Sequence, residues 1–436
     1  MTLVAASPGY ALRNHTDYRY NLLMSKQTNS FNPAQWREQF PALQQEVNGQ
    51  TAVYLDGPGG TQVPQGVISA MSSYLTQGGS NSGGPFLTSR RSDAIVEAAR
   101  AAVADLLNAQ PREIAFGQNM TSLTFSLSRA LARRWQPGDE IIVTNLDHDA
   151  NISPWLLAAE ERGVTVRWLD FDPTDCTLRL DQLPDLLNEK TRLLALTAAS
   201  NAVGTIPNIS QATQLAHAAG ALVYVDAVHY APHGPLDVQA IGCDFLACSA
   251  YKWFGPHTGV LYGKYELLEA LTAYKLRPAP THTPGKWETG TQSFESLAGV
   301  TAAVDYLAQL GEGNDRRGQL RSAMQRIKQY EQQISQRLLA GITAVSGLKL
   351  YGISDVERLD ERTPTFAVSL DGYTPQQVAA RLGEQGIFVW SGHYYAIAVM
   401  ERLGLLDQGG LVRIGFVHYN TLAEVDRVLN ALEAMA

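Results

Sequence analysis

The 436 residues are too many for one small core and predict a large domain with a smaller companion. Hydrophobic residues make up 45% and charged residues 17%, an ordinary globular-enzyme composition, and a net charge of −8 gives no support to a nucleic-acid role. Three widely spaced cysteines, Cys176, Cys243 and Cys248, give neither a disulfide framework nor a zinc pattern and fit a reducing, cytoplasmic setting; no apolar run reaches membrane-spanning length, and the first residues lack a secretory signal.

In chain order, residues 1–30 are polar and aperiodic and predict a flexible leader, with Met24 a candidate start. Residues 31–50 predict a segment near the smaller domain, with Asn32-Pro33 opening a helix over 33–40. Tyr54-Leu55-Asp56 reads as a strand entering the turn Gly57-Pro58-Gly59-Gly60-Thr61. The run GGSNSGG at 78–84 is too glycine-rich for a regular element. Ser92 is placed to cap a helix carrying Ile95, Ala99, Ala102 and Leu106 on one face. A strand at 114–116 runs through a polar turn, 117–122, into a helix over 123–135. Such a turn forms an anion site from backbone N–H groups and the helix dipole, and capping by Thr121 explains it equally well.

The strand at 140–144 ends in NLDHDAN, where His148 suits either a structural role or acid–base work. Strands at 164–169 and 193–197 follow, the second ending in the turn around Asn201, and a helix over 210–219 leads to the apolar run 222–225. Strands alternating with helices predict a parallel sheet with right-handed crossovers.

The run Leu222-Val223-Tyr224-Val225 suits a strand buried on both faces, and it stops at Asp226. Open α/β sheets hold their ligands at that end of a strand. A second short run, 245–247, leads to Ser249-Ala250-Tyr251-Lys252 and a turn at Gly255-Pro256. Burial lowers a lysine pKa, and a neutral amine can form a Schiff base with an aldehyde. Pyridoxal 5'-phosphate (PLP) is the common aldehyde cofactor, and it typically takes an Asp at its ring nitrogen. Asp226 and Lys252 fit those two places; a turn-capping aspartate beside a surface lysine is the competing reading. Further on, 316–339 reads as a long helix. Strands at 365–370, 387–390 and 411–416 and helices at 375–384 and 422–436 complete the smaller domain. Arg413 lies inside an apolar strand, LVRIGF, where an unpaired charge is costly. It serves either an internal salt bridge or a bidentate grip on a carboxylate.

The motifs VDAVHYAPH and SAYKWFGP, in this order with NLDHDAN, SNAVGT, ETGT and LVRIGF, resemble the class V aminotransferase group of fold-type I PLP enzymes, nearest the cysteine desulfurase and selenocysteine lyase branch. The resemblance runs from about 54 to about 427. It implies an α/β fold with a large PLP-binding domain over 51–310, built on a mostly parallel seven-stranded sheet, and a small α/β domain over 311–436. By resemblance, Met120 and Thr121 bind the cofactor phosphate with Ser249 and Tyr251, and His148 stacks on the pyridine ring. Asn201 bonds the 3-oxygen, His229 stands where many relatives carry Gln and keeps a donor there, and Arg413 grips the substrate carboxylate. Thr291 reaches the phosphate of a neighbouring subunit, which implies a homodimer. Relatives often carry His where Tyr251 stands, a further departure.

The resemblance breaks at Ser391-Gly392-His393-Tyr394-Tyr395-Ala396. Desulfurases of the branch carry a persulfide-forming cysteine in this loop; Tyr395 takes its place, and no cysteine follows Cys248. A phenol cannot form a persulfide. The expectation is a PLP enzyme acting on an α-amino acid through Lys252, with Asp226 and His148 assisting and Tyr395 and His393 shaping the substrate pocket. A C–S lyase or aminotransferase fits. The competing reading is a PLP-binding scaffold or partner protein of sulfur metabolism with little turnover. A nicotinamide site is disfavoured, because no G-x-G-x-x-G follows an early strand.

Overall fold

The computed structural model describes residues 31–436, so the expected leader over 1–30 and the candidate start Met24 lie outside the described residues. Seven strands form the main sheet: β1 Ile114–Gly117, β2 Glu140–Thr144, β3 Thr165–Leu169, β4 Thr191–Thr197, β5 Leu222–Asp226, β6 Phe245–Ser249 and β7 Gly259–Gly263. Their order is β1-β7-β6-β5-β4-β2-β3. Strands β2 through β6 pair in parallel, and β7 runs against both its neighbours. The central strands are apolar throughout because helices cover both faces; every residue of β6 is buried. Thr197 pairs with Asp226 and Asp226 with Ala247, so β4, β5 and β6 end at one level and hand their following residues to a common edge.

A second sheet of four antiparallel strands comprises β8 Leu348–Tyr351, β9 Thr365–Leu370, β10 Trp390–Gly392 and β11 Leu411–Gly415, ordered β8-β9-β11-β10. The entry segment joins it. Val53–Tyr54 pairs with Ile387–Phe388, and Gly415 N donates to Leu55 O at 2.8 Å, which sets Asp56 beside β11. Arg37 bonds Glu424 at 2.9 Å, and Phe40 packs edge-on against Tyr419 at 5.1 Å.

Four helices matter to the site: α1 Leu87–Leu107, α2 Met120–Ala132, α3 Arg316–Ile342 and α4 Leu422–Glu433. Two expectations need correcting. The helix of Ser92 starts at Leu87, directly after Pro85 and Phe86, so Ser92 lies inside it and is not its cap. Its hydroxyl instead ties down the glycine-rich stretch through Ser80 O at 2.5 Å, while Gly84 N donates to Ser89 Oγ at 2.6 Å. The helix expected over 123–135 begins at Met120, and its cap is Asn119, whose Oδ1 accepts from Ser122 N at 2.9 Å; Thr121 therefore stands in the first turn. The strand expected over 387–390 divides between two sheets, Ile387–Phe388 with the entry segment and Trp390–Gly392 with β11.

The core under the sheet is tight. Tyr224 of β5 meets Trp155 edge-on at 5.0 Å, and its hydroxyl bonds Thr124 at 2.6 Å. Each such fully buried ring contributes about 2 kcal/mol through apolar burial.

Candidate active site

Lys252 ends a one-turn helix, Ala250–Lys252, immediately after β6. Its Nζ donates to Pro58 O of the entry turn and lies 5.0 Å from the Tyr251 ring centroid. Burial and then the Arg413 charge lower its pKa to about 7, against the pull of Asp226 and Asp56. Asp226 is buried, accepts from Val228 N at 2.8 Å and is raised to about 6 by burial, with Lys252 opposing.

His148 follows β2. Its Nδ1 accepts from Ala150 N at 2.9 Å, so the proton of the neutral ring sits on Nε2. Burial, then Lys252 and Arg413, lower it to about 4, so it is uncharged at neutral pH. The ring stacks on Tyr395 with centroids 5.6 Å apart and planes 19° apart.

Asn201, in the turn after β4, donates from Nδ2 to Tyr394 O at 2.9 Å, while its own backbone carbonyl accepts from Arg413 Nη1 at 2.9 Å. Arg413 is only 4% exposed and lies 4.4 Å from the Tyr394 ring centroid. Burial lowers its pKa to about 10. Among the described residues no carboxylate comes within ion-pair distance of it, so the expected alternative of an internal salt bridge has no partner. Among the described residues, Arg413 Nε, Asn201 Oδ1 and Asp56 Oδ1 are buried polar atoms without a hydrogen-bond partner.

His229 follows β5, with Nε2 between Thr363 Oγ1 at 3.2 Å and Thr365 Oγ1 at 3.1 Å. Burial holds it well below the usual histidine range. It meets His233 edge-on at 5.1 Å, and His233 Nδ1 bonds Glu331 of α3 at 2.8 Å.

The loop 391–396 carries two consecutive left-handed residues, Tyr394 at φ 53° and Tyr395 at φ 57°. Such a backbone costs a bulky residue about 1–2 kcal/mol. Tethers offset that cost. Asp149 N donates to Tyr395 O at 2.7 Å, Tyr395 N to His393 Nδ1 at 3.1 Å, and the Tyr394 hydroxyl to Leu411 O. His393 and Tyr395 remain exposed.

At the anion end, the first N–H of α2, from Met120, donates to Ser249 Oγ at 3.0 Å. Gly259 backs this turn closely; a Cβ there would lie 2.4 Å from the Asn119 carbonyl carbon. Thr121 is exposed at the helix N-terminus. The Tyr251 ring stacks on His257 at 4.7 Å and 13°. Thr291 is exposed on the turn behind Glu288 and, among the described residues, shares no bond with the rest of the set.

Two carboxylates were given no role of their own in the sequence reading. Asp56, raised to about 6 by burial, faces Arg413 and Lys252; its only signal was a lone acid before a Gly/Pro turn. Asp147 is fully buried, accepts from Thr144 Oγ1 and from Asn151 Nδ2 at 2.6 Å, and is raised to about 8, first by burial, with Asp226 adding to the rise. Trp155 Nε1 donates to Asn151 Oδ1 at 3.0 Å and locks this network. The four-residue spacing of Asp147 and Asn151 after a strand was the legible hint.

The donor set fits PLP. A helix N-terminus with Ser249 suits a phosphate, a flat neutral His148 suits a ring face, and Asp226 suits a ring nitrogen. Lys252 suits the aldehyde, the unpartnered Arg413 Nε suits a carboxylate, and the unpartnered Asn201 Oδ1 can accept from a ring hydroxyl.

The family model Aminotransferase class-V matches residues 53–428. A cysteine desulfurase of Pectobacterium atrosepticum is 34% identical over 413 residues, covering 91% of this chain and 96% of that one. The aminotransferase-like protein FGM3 of Gibberella zeae is 34% identical over 417 residues, covering 93% and 99%. Among solved structures, the apo cysteine desulfurase of Thermococcus onnurineus NA1 superposes with a TM-score of 0.83 at 26% identity, covering 92% and 98%. With most of the chain matched and the sheet order and site described above, this protein belongs to the class V aminotransferase family of PLP-dependent enzymes.

Proposed function

We propose that this chain binds an α-amino acid at Lys252 and processes it as a C–S lyase or aminotransferase, without a persulfide cysteine. The observation that carries the reading is a near-neutral lysine coupled to Asp226 and a buried Arg413 that has no carboxylate in ion-pair reach among the described residues. Burying that many charges is costly, and a scaffold has no use for them.

When bound, PLP supplies an aldehyde for the amine and a ring that withdraws electrons. The chain's own residues do the rest. Asp226 holds a proton on the ring nitrogen, and neutral His148 covers the ring face. The Met120–Thr121 turn, Ser249 and Tyr251 hold the phosphate. Asn201 and His229 face the ring's oxygen side. Arg413 would take the substrate carboxylate with its Nε edge, and the Lys252 amine would move the α-proton. Tyr395 and His393 shape the mouth. All three cysteines are buried, and burial pushes each thiol up to about 12, which leaves no ready thiolate for desulfuration.

The proposed assembly is a cytoplasmic homodimer in which Thr291 completes the neighbouring phosphate site. Its exposed position and the exposed Leu75, Phe86 and Leu87 support a covered face. No helix among the described residues is long and apolar enough to cross a membrane. We also assign residues 51–310 and 311–436 to large and small domains, in line with the two sheets.

The test is the visible absorbance of the purified protein before and after L-cysteine, cysteine sulfinate and L-alanine, with Lys252→Ala alongside. A yellow band that the variant loses supports Lys252 as anchor, and amino-acid-specific changes identify the reaction branch. A colourless protein that added PLP cannot restore refutes the reading.

A further inference from the structure

Arg413 has one large neighbour in its cross-strand row. Trp390 of β10 and Ala367 of β9 are its register partners on either side. Directly opposed residues of antiparallel strands project to the same face, so the row reads Trp390–Arg413–Ala367. The guanidinium is buried, yet the Trp390 side chain is 54% exposed, unusual for a tryptophan beside a buried charge.

The indole lies against the entry turn. A Cβ on Gly59 would lie 2.4 Å from Trp390 Nε1, so the entry turn must carry glycine there to admit the ring. The preceding residue, Pro58, supplies the carbonyl that takes Lys252 Nζ. Trp390 therefore stands one residue from the lysine anchor and one strand from the carboxylate grip. A second exposed ring, Tyr395 at 67%, leans on His148 over the same loop. Two large exposed aromatic side chains, one beside the Lys252 carbonyl partner and one on His148, are more than a site for a small polar amino acid needs.

We propose that Trp390 is a specificity-determining residue: with Tyr395 it forms an aromatic rim that receives the flat, apolar side chain of an α-amino acid whose carboxylate Arg413 holds. The inference rests on the amino-acid reading above and names its substrate class. Stacking and burial against an indole are sequence- and polarity-blind to the carboxylate end, so the rim acts on the side chain alone.

The experiment titrates PLP-loaded protein with L-phenylalanine and L-alanine, reading dissociation constants from the visible band, for wild type, Trp390→Ala and Trp390→Phe. Wild type is expected to bind L-phenylalanine at least about tenfold more tightly than L-alanine. Trp390→Ala is expected to abolish that ratio with L-alanine binding unchanged, and Trp390→Phe to restore most of it. Being exposed, the side chain can be removed without opening the core. A wild type without the preference, a ratio that survives Trp390→Ala, or an equal loss for both amino acids, as a protein-docking surface would give, overturns the proposal. If neither amino acid moves the band, the amino-acid reading itself fails and the rim proposal falls with it.

Discussion

Replacing Arg413 with methionine should make the protein more stable and much less active. The guanidinium is buried with no carboxylate in ion-pair reach among the described residues, and burial lowers its pKa from 12.5 to about 10, with Asp56 opposing. That shift corresponds to about 3 kcal/mol of unfavourable burial of the charged form. Against it stand one hydrogen bond to the Asn201 carbonyl, worth about 1 kcal/mol, and the contact with the Tyr394 ring, worth about 1 kcal/mol. The balance favours methionine by about 1 kcal/mol, since its flexible chain fills a similar space. At this length 1 kcal/mol moves the melting point by only about 1 °C, so the urea midpoint is the better assay, at equal PLP in both samples. Binding runs the other way. Losing the partner of a desolvated substrate carboxylate costs about 2–5 kcal/mol, which lowers kcat/KM by roughly 30- to 5,000-fold. A variant destabilised by more than about 2 kcal/mol would show that the guanidinium is a structural member of the fold, and a loss of kcat/KM below about tenfold would remove Arg413 from the carboxylate grip.

Capture of added PLP by the apoprotein requires an uncharged Lys252 amine, so its rate should rise with pH through about 7 and level off above; stopped-flow absorbance measures it, and a midpoint near the ordinary lysine value refutes the proposed environment. The sign for stability follows. The folded value lies below the unfolded 10.5, so the contribution of Lys252 is fully present above pH 10.5 and is lost as pH falls through about 7. The buried pair His233–Glu331 at 2.8 Å should obey the rule for desolvated partners. Glu331→Leu alone is expected to cost about 3–5 kcal/mol and the double variant with His233→Leu to recover most of it, as read by urea unfolding; additive losses would contradict the pairing.

The α/β class and the position of the lysine were legible because β5 and β6 are buried on both faces and therefore apolar without interruption, so that Asp226 and the residues after Ser249 stand out as breaks. Arg413 was legible for the same reason in β11. Helix starts were less so. Ser92 has the chemistry of a cap, but the chain turns helical as soon as the glycine run ends at Pro85, and the hydroxyl serves that run instead. Asn119 and Thr121 both have cap chemistry, and only backbone conformation, φ −164° at Asn119, selects the first. Asp56 and Asp147 left only faint signals in the sequence, a lone acid before a Gly/Pro turn and a four-residue spacing to Asn151. Their significance lies in what surrounds them after folding, a neighbouring strand for Asp56 and a Thr144–Asn151 clasp for Asp147.

The tyrosine loop decides what chemistry remains open. A sulfur-accepting thiol must ionise within reach of the substrate. Burial pushes each of the three thiols up to about 12, so the thiol form dominates at neutral pH. The loop instead presents three side chains, and the fold has already committed one. Tyr394 gives its hydroxyl to Leu411 O and its face to Arg413, and burial raises its pKa out of the working range, so it positions the guanidinium and holds its proton. Tyr395 and His393 are exposed, and Tyr395 is braced by His148 at a left-handed backbone conformation that the Asp149 and His393 tethers help sustain. A residue kept in a costly conformation at a site mouth points to use of its side chain there. On the proposed reading that use is contact with the substrate's side chain, which is also where a sulfur leaving group would depart.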